Sequence, residues 1–100
     1  MQEFLYRLQL VRGDMLHTGP TDSEQTVVAE HFAYLQHLTE QGVIILVGRT
    51  LTTDENTMGL AVFRAESDDA AREIMNGDPA VRKNLMTATL YPFKVVLQGK

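Results

Sequence analysis

"VIILVGRTL" (Val43–Leu51), "TTDENT" (Thr52–Thr57) and "MGLAVFRA" (Met58–Ala65) follow one another without a break, and the fold turns on how they are read. The first run is almost continuously apolar, as a strand covered on both faces would be. The second is a polar turn, longer than a two-residue hairpin loop, and the third is the return strand. On the N-terminal side the pattern is helical from Asp22 or Ser23 to Gln41, and Gly42 stops it. Asp22 with Gln25 has the form of a capping box. Upstream, "RGDMLHTGPTD" (Arg12–Asp22) contains two glycines and a proline and predicts a loop. "EFLYRLQLV" (Glu3–Val11) sets Phe4, Tyr6, Leu8 and Leu10 against Glu3, Arg7 and Gln9, which is the period of a strand.

On the C-terminal side, Ser67 or Asp68 caps a second helix through "DDAAREIM", with Ala70, Ala71, Ile74 and Met75 as its apolar stripe. "NGDP" ends that helix, "AVRKNLM" predicts a short helical turn, and "TLYPFKVVL" (Thr89–Leu97) reads as a final strand. Pro92 points to an edge or an irregular position there. The order is β-α-β-β-α-β, an α+β, ferredoxin-like arrangement with a four-stranded antiparallel sheet. One hundred residues suit one such domain, residues 1–100.

Two helices cover only one face of that sheet, yet large apolar residues occupy both parities of its strands. Phe4, Tyr6, Leu8 and Leu10 stand against Leu5 and Val11, and Ile45 and Val47 against Ile44 and Leu46. A lone chain would expose an apolar face of the size that marks an interface. The expectation is a homodimer through the open sheet faces, with edge pairing or a curled sheet as the alternative.

Composition narrows the function. An apolar content of 44% argues against disorder, and a formal charge of −4 leaves no electrostatic footprint for nucleic acid or an anionic membrane. No apolar run is long enough to span a bilayer, and "MQEFLYR" lacks the features of a signal peptide, so a cytoplasmic protein is expected. Without cysteine there are no disulfides, thiolate metal sites or thiol catalysis.

The histidines are then the first candidates for chemistry. At 100° per residue, Val27, His31, Leu35 and Leu38 form one stripe of the first helix, with Val28 and Phe32 beside it. His37 lies with Glu30 and Gln41 on the solvated side, and His17 falls in the glycine-containing loop. His31, at the margin of the apolar face, is either a partly buried histidine satisfied by a carbonyl or by Tyr34, or a general acid–base whose tautomer needs a carboxylate partner. Asp78, before Pro79, has the form of an N-cap, and its second oxygen leaves room for a histidine as well. His31 and His37 point in different directions, and no HExxH or phosphate-loop spacing is present, so neither a metal nor a cofactor is expected. Arg12 and Arg49, near the ends of the first and second strands, are candidates to grip an anionic ligand. Phe32, Tyr34 and Tyr6 are candidates to line a substrate pocket, though each is also a core or interface residue by type.

Taken in order, the first strand, "EHFAYLQHLTEQG", "VIILVG", "AVFRAESDDAAREIMNGDPAV" and "LYPFKVV" resemble the YCII-related family of small bacterial proteins. The resemblance implies a ferredoxin-like fold of the dimeric α+β barrel group. It also implies a site in which the helix histidine, His31, pairs with the aspartate of the "DP" element, Asp78. One branch of the family is similar to a dehydrochlorinase of chlorinated hydroxyquinols, and the wider fold group includes muconolactone isomerases and small monooxygenases. Many relatives carry arginine where this chain has Val28, and proline where it has Arg49. The substrate is therefore not carried over.

Two functions follow. One is a cofactor-independent enzyme in which His31, oriented by Asp78, moves a proton on a small aromatic or unsaturated acid in an isomerisation or elimination. In it, Arg49 or Arg12 holds the substrate's charge. The other is a dimeric small-molecule-binding or assembly protein that turns nothing over.

Overall fold

In the computed structural model, which describes residues 1–99, the elements run β1 (Gln2–Leu10), α1 (Met15–Thr18), α2 (Asp22–Glu40), β2 (Ile44–Arg49), β3 (Gly59–Ala65), α3 (Asp68–Gly77), α4 (Pro79–Arg82) and β4 (Met86–Phe93). All strands pair antiparallel in one sheet of order β2-β3-β1-β4. With α2 and α3 as the two principal helices, this is the expected ferredoxin-like α+β fold. The short helices α1 and α4 are additions to it. No helix among the described residues is long and apolar enough to cross a membrane.

The alternation in β1 sends Phe4, Tyr6 and Leu8 into the layer between sheet and helices, where they meet Ala61, Phe63 and Ala65 of β3. Phe63 touches Phe4 and Tyr6, with ring centroids 5.9 and 5.5 Å apart, the second pair edge to face. Leu35 of α2 and Ala71 and Met75 of α3 close this core from above.

The near-continuous run in β2 hides a break in its period. The register slips between Ile44, opposite Phe63, and Leu46, opposite Val62, so Ile45 is the extra residue of a bulge. Ile44 and Val47 therefore share the helix-side face while Leu46 takes the other, whereas strict alternation pairs Ile45 with Val47. An all-apolar strand carries no mark of which residue is skipped.

Two boundaries also move. The capping box of α2 is formed by Thr21 and Glu24, one residue before the expected Asp22 and Gln25. The Glu24 amide donates to Thr21 Oγ1 and the Thr21 amide donates to Glu24 Oε1. At the other end Gly42 turns left-handed at φ +78° as expected. The last strand begins at Met86, opposite Leu10, and ends at Phe93, opposite Glu3, rather than running over 89–97. Asn84, at φ +60°, turns the chain out of α4 early enough for this. The pairing stops where β1 runs out, and the Val95 amide then donates to the Glu3 carboxylate. Pro92 does lie in an edge strand.

The sheet face away from the helices carries Leu5, Leu46, Leu60, Val62, Tyr91 and Phe93. Residues 94–99 bound a cavity of about 630 Å³ against part of it. Val62 is buried, but Leu46, Tyr91 and Phe93 remain 40–50% exposed.

Candidate active site

Asp78 stands at the junction of α3 and α4, closing the first and capping the second, with Pro79 at the first helical position. Its side chain is fully buried. Burying a carboxylate is costly unless donors replace water, and three do so here. The Ala80 amide donates to Oδ1 at 2.9 Å, His31 Nδ1 lies 2.7 Å from the same oxygen, and the Tyr6 hydroxyl donates to Oδ2 at 2.9 Å. His31 and Asp78 are thus brought together across 47 residues of chain. The cap and the histidine contact coexist on one carboxylate.

The arrangement fixes the proton on His31. A carboxylate already holding the Ala80 and Tyr6 donors is an acceptor, so Nδ1 carries a hydrogen, and in the neutral ring Nε2 is the nitrogen with the free lone pair. The His31 side chain is 14% exposed and lines a cleft of about 470 Å³ on the helix side of the sheet. Leu8, Leu10, Leu16, Phe32, Met58 and Met86 supply much of its apolar wall. The polar side chains lining it, among the described residues, are His31, Thr57 and Arg49.

The remaining candidates separate. Arg49 lines the cleft, as does Val28. Arg12 does not: its Nη2 and Nε grip Glu24 at 2.6 and 3.0 Å, and Nη2 also donates to the Gly19 carbonyl. That fork closes the segment between β1 and α2 on itself, so the structure gives Arg12 the place of a clasp there. Tyr6 lies in the core beneath Asp78 and lines no part of the cleft. Burial, then the charge of Asp78 and its hydrogen bond, hold the Tyr6 phenol far above its ordinary range, so it remains a donor. Tyr34 also lies outside the cleft lining, and its hydroxyl donates to the Ile74 carbonyl at 2.7 Å, tying α2 to α3. Burial followed by the charge of Asp78 raises its phenol too. Phe32 does line the cleft, while His17 and His37 are exposed.

Leu16 was not singled out by the sequence, because it sits within an expected loop; a large apolar residue in "DMLHTG" was the available signal. The donor role of Tyr6 was also hidden. Its inward parity on β1 placed a buried hydroxyl that needs a partner, but not which one. Among the described residues no group of three or more histidine and carboxylate side chains is placed to hold a metal ion.

The sequence matches the model of the YCII-related domain over residues 9–94. The chain belongs to the YCII-related family. No curated protein matches it. Among solved structures, it is similar to the 5-chloro-2-hydroxyhydroquinone dehydrochlorinase TftG of Burkholderia phenoliruptrix AC1100, solved with 2,5-dihydroxybenzoquinone. Identity is 21%, the TM-score is 0.63, and the alignment covers 91% of this chain and 93% of that one. The uncharacterized protein TM1266 of Thermotoga maritima is 14% identical with a TM-score of 0.56, covering 92% of this chain and 95% of that one. The cofactor-independent oxygenase SnoaB of Streptomyces nogalater is 16% identical with a TM-score of 0.50, covering 99% and 100%. At these identities the likeness is one of fold, and the fold of this YCII-related chain is that of the dimeric α+β barrel proteins.

Two outcomes are expected from this geometry. A β-carbon on Gly77 would lie 2.9 Å from the Tyr34 hydroxyl oxygen. Gly77→Ala should therefore break the Tyr34–Ile74 bond and cost about 1–3 kcal/mol in urea unfolding; wild-type stability would show that the α2–α3 contact yields freely. Arg12 first, then the Thr21 amide, depress the Glu24 carboxyl from 4.5 to about 2. A depressed carboxyl contributes stability above its unfolded value that is lost as pH falls toward the folded one. Thermal melts of the wild type should thus fall between pH 4.5 and about 2, and Glu24→Gln should flatten that limb. An unaltered acid limb in the variant would remove Glu24 from it.

Proposed function

We propose that this YCII-related protein is a cofactor-independent enzyme in which the His31–Asp78 dyad transfers protons on a small aromatic or unsaturated acid, in an isomerisation or an elimination. One observation carries the reading. A fully buried carboxylate holds Nδ1 of a histidine at 2.7 Å, and that histidine borders an apolar cleft. Nε2 removes a proton from a carbon of the bound acid, and Asp78 stabilises the imidazolium that forms. In an elimination the C–H electron pair becomes the new double bond as the leaving group departs with its own pair. In an isomerisation the imidazolium returns the proton to a different carbon.

Arg49 is the cation that lines the cleft, and it holds the substrate carboxylate or the developing enolate oxygen. Val28 leaves apolar surface where many relatives carry arginine, so the charge-holding group stands on β2 instead of α2. The mostly apolar wall limits water and strengthens these charge interactions. The fold shared with a dehydrochlorinase solved with 2,5-dihydroxybenzoquinone and with a cofactor-independent oxygenase supports small-molecule chemistry. Two copies joined through their open sheet faces would cover Leu46, Leu60, Tyr91 and Phe93, an apolar set large enough to favour association.

The enzymatic reading is tested with a panel of small aromatic and unsaturated carboxylic acids bearing an acidic C–H, with or without a β leaving group. The wild type should turn over at least one member, and His31→Gln should lower kcat by about 10²–10⁴-fold while binding persists. Tight binding with no turnover across the panel would identify a binding protein instead. The dimer is checked by sedimentation: the wild type should run at twice the chain mass and Leu46→Glu closer to one. A monomeric wild type overturns it.

A further inference from the structure

The dyad has a third member buried behind it. We propose that Tyr6 is a positioning residue, whose hydroxyl sets how strongly Asp78 draws on the proton of His31. The inference rests on the reading of His31 as the proton-handling group, and it assigns the control of that group to the central strand of the sheet.

The geometry separates the two carboxylate oxygens by task. Oδ1 is shared by the Ala80 amide and His31 Nδ1, and Oδ2 is taken by Tyr6. Tyr6 is fully buried, its ring packed edge to face on Phe63, and its strand lies between β3 and β4 in the sheet. The hydroxyl therefore approaches Asp78 from a rigid base, while the histidine approaches from a helix. Tilting the carboxylate plane about its last bond would stretch the Tyr6 bond, so the phenol also holds the plane in which the imidazole meets it. A donor on Oδ2 spreads the carboxylate's negative charge and weakens its pull on the imidazolium. Tyr6 never reaches the cleft and does not touch a molecule bound there.

Other charged groups around the pair are few. On α2 itself, Tyr34 lies near enough for its phenol to be raised by the charge of Asp78, and Glu30 is paired with Lys83, which follows α4. From β2, Arg49 lines the same cleft as His31. None of these donates a hydrogen bond to Asp78, whereas Tyr6 does so directly. Its removal must therefore act on the pair through the carboxylate.

The experiment follows the His31 ring in the full chain by ¹⁵N and ¹³C NMR, through a pH titration of the wild type and of Tyr6→Phe. The wild type should show the Nδ1–H tautomer. In Tyr6→Phe the titration midpoint of the His31–Asp78 pair should rise by about half to one unit, roughly a three- to tenfold shift in its protonation equilibrium. Because Tyr6→Phe also leaves a buried oxygen without its donor, a loss of stability alone is not the signature sought. A second protein in which 3-fluorotyrosine replaces the tyrosines makes the phenol a stronger donor and should move the same midpoint downward. Opposite shifts in the two proteins support the positioning role, and if Tyr6→Phe fails to fold, fluorination in a Tyr34→Phe/Tyr91→Phe chain, where Tyr6 is the remaining tyrosine, decides it. Midpoints that match the wild type overturn it, whatever happens to the melting temperature. The titration needs no substrate, so it separates from the enzymatic reading: coupled His31 titration in a protein with no turnover would remove the function and leave the coupling.

Discussion

The satisfaction of one buried carboxylate constrains the rest of the helix-side structure. Asp78 has no contact with solvent, and an anion so placed is tolerated only when each oxygen has a donor of good geometry. The donors come from three separate parts of the chain: Tyr6 on β1, His31 on α2 and the Ala80 amide on α4. The carboxylate therefore joins sheet, long helix and helix junction at one point. Among the described residues no buried side-chain nitrogen or oxygen lacks a partner, so the network closes without residue.

That closure has a chemical consequence. Each donor also orients what it touches, and the carboxylate orients the imidazole in return. The neighbouring contacts hold the frame. Tyr34 ties α2 to the end of α3 just before Asp78, and the absence of a β-carbon on Gly77 leaves room for that approach. On the loop side Glu24 binds Arg12 and caps α2 with Thr21, which fixes the start of the helix that carries His31 and the loop that brings Leu16 to the cleft. The proposed proton transfer would depend on such a frame, since a misplaced base loses most of its effect.

Most of the fold was legible because it is written in period and punctuation. The alternation in β1, the glycine after α2, Ser67 at the start of α3 and the Asp–Pro pair before α4 each act locally, and each appears where local chemistry puts it. The misreadings arise where tertiary partners decide. The bulge at Ile45 is invisible in a run of apolar residues, and the bounds of β4 follow the length of β1. The site divides in the same way. His31 was visible from the margin of its helix stripe, but its pairing with Asp78 came from resemblance to a family, since nothing local links residues so far apart. The two tyrosines and Arg12 lie outside the cleft lining for a common reason. Residue type signals the capacity to bind a ligand, and in each case a partner within the protein uses that capacity first.

Arg49 shows the converse. It keeps its place on the cleft wall, and the residues around it are chiefly apolar. A guanidinium and an imidazole on the wall of one apolar cleft suit the proposed ligand, mostly flat and apolar with one anionic end. For the proposed substrate, the anion would meet Arg49 and the apolar body Phe32 and the leucines, with the carbon next to the charge toward His31. In the proposed reaction, charge recognition from β2 and proton transfer from α2 would act on one molecule. Within the sheet β3 pairs with both β2 and β1, so the strand that holds Tyr6 is joined through it to the strand that holds Arg49.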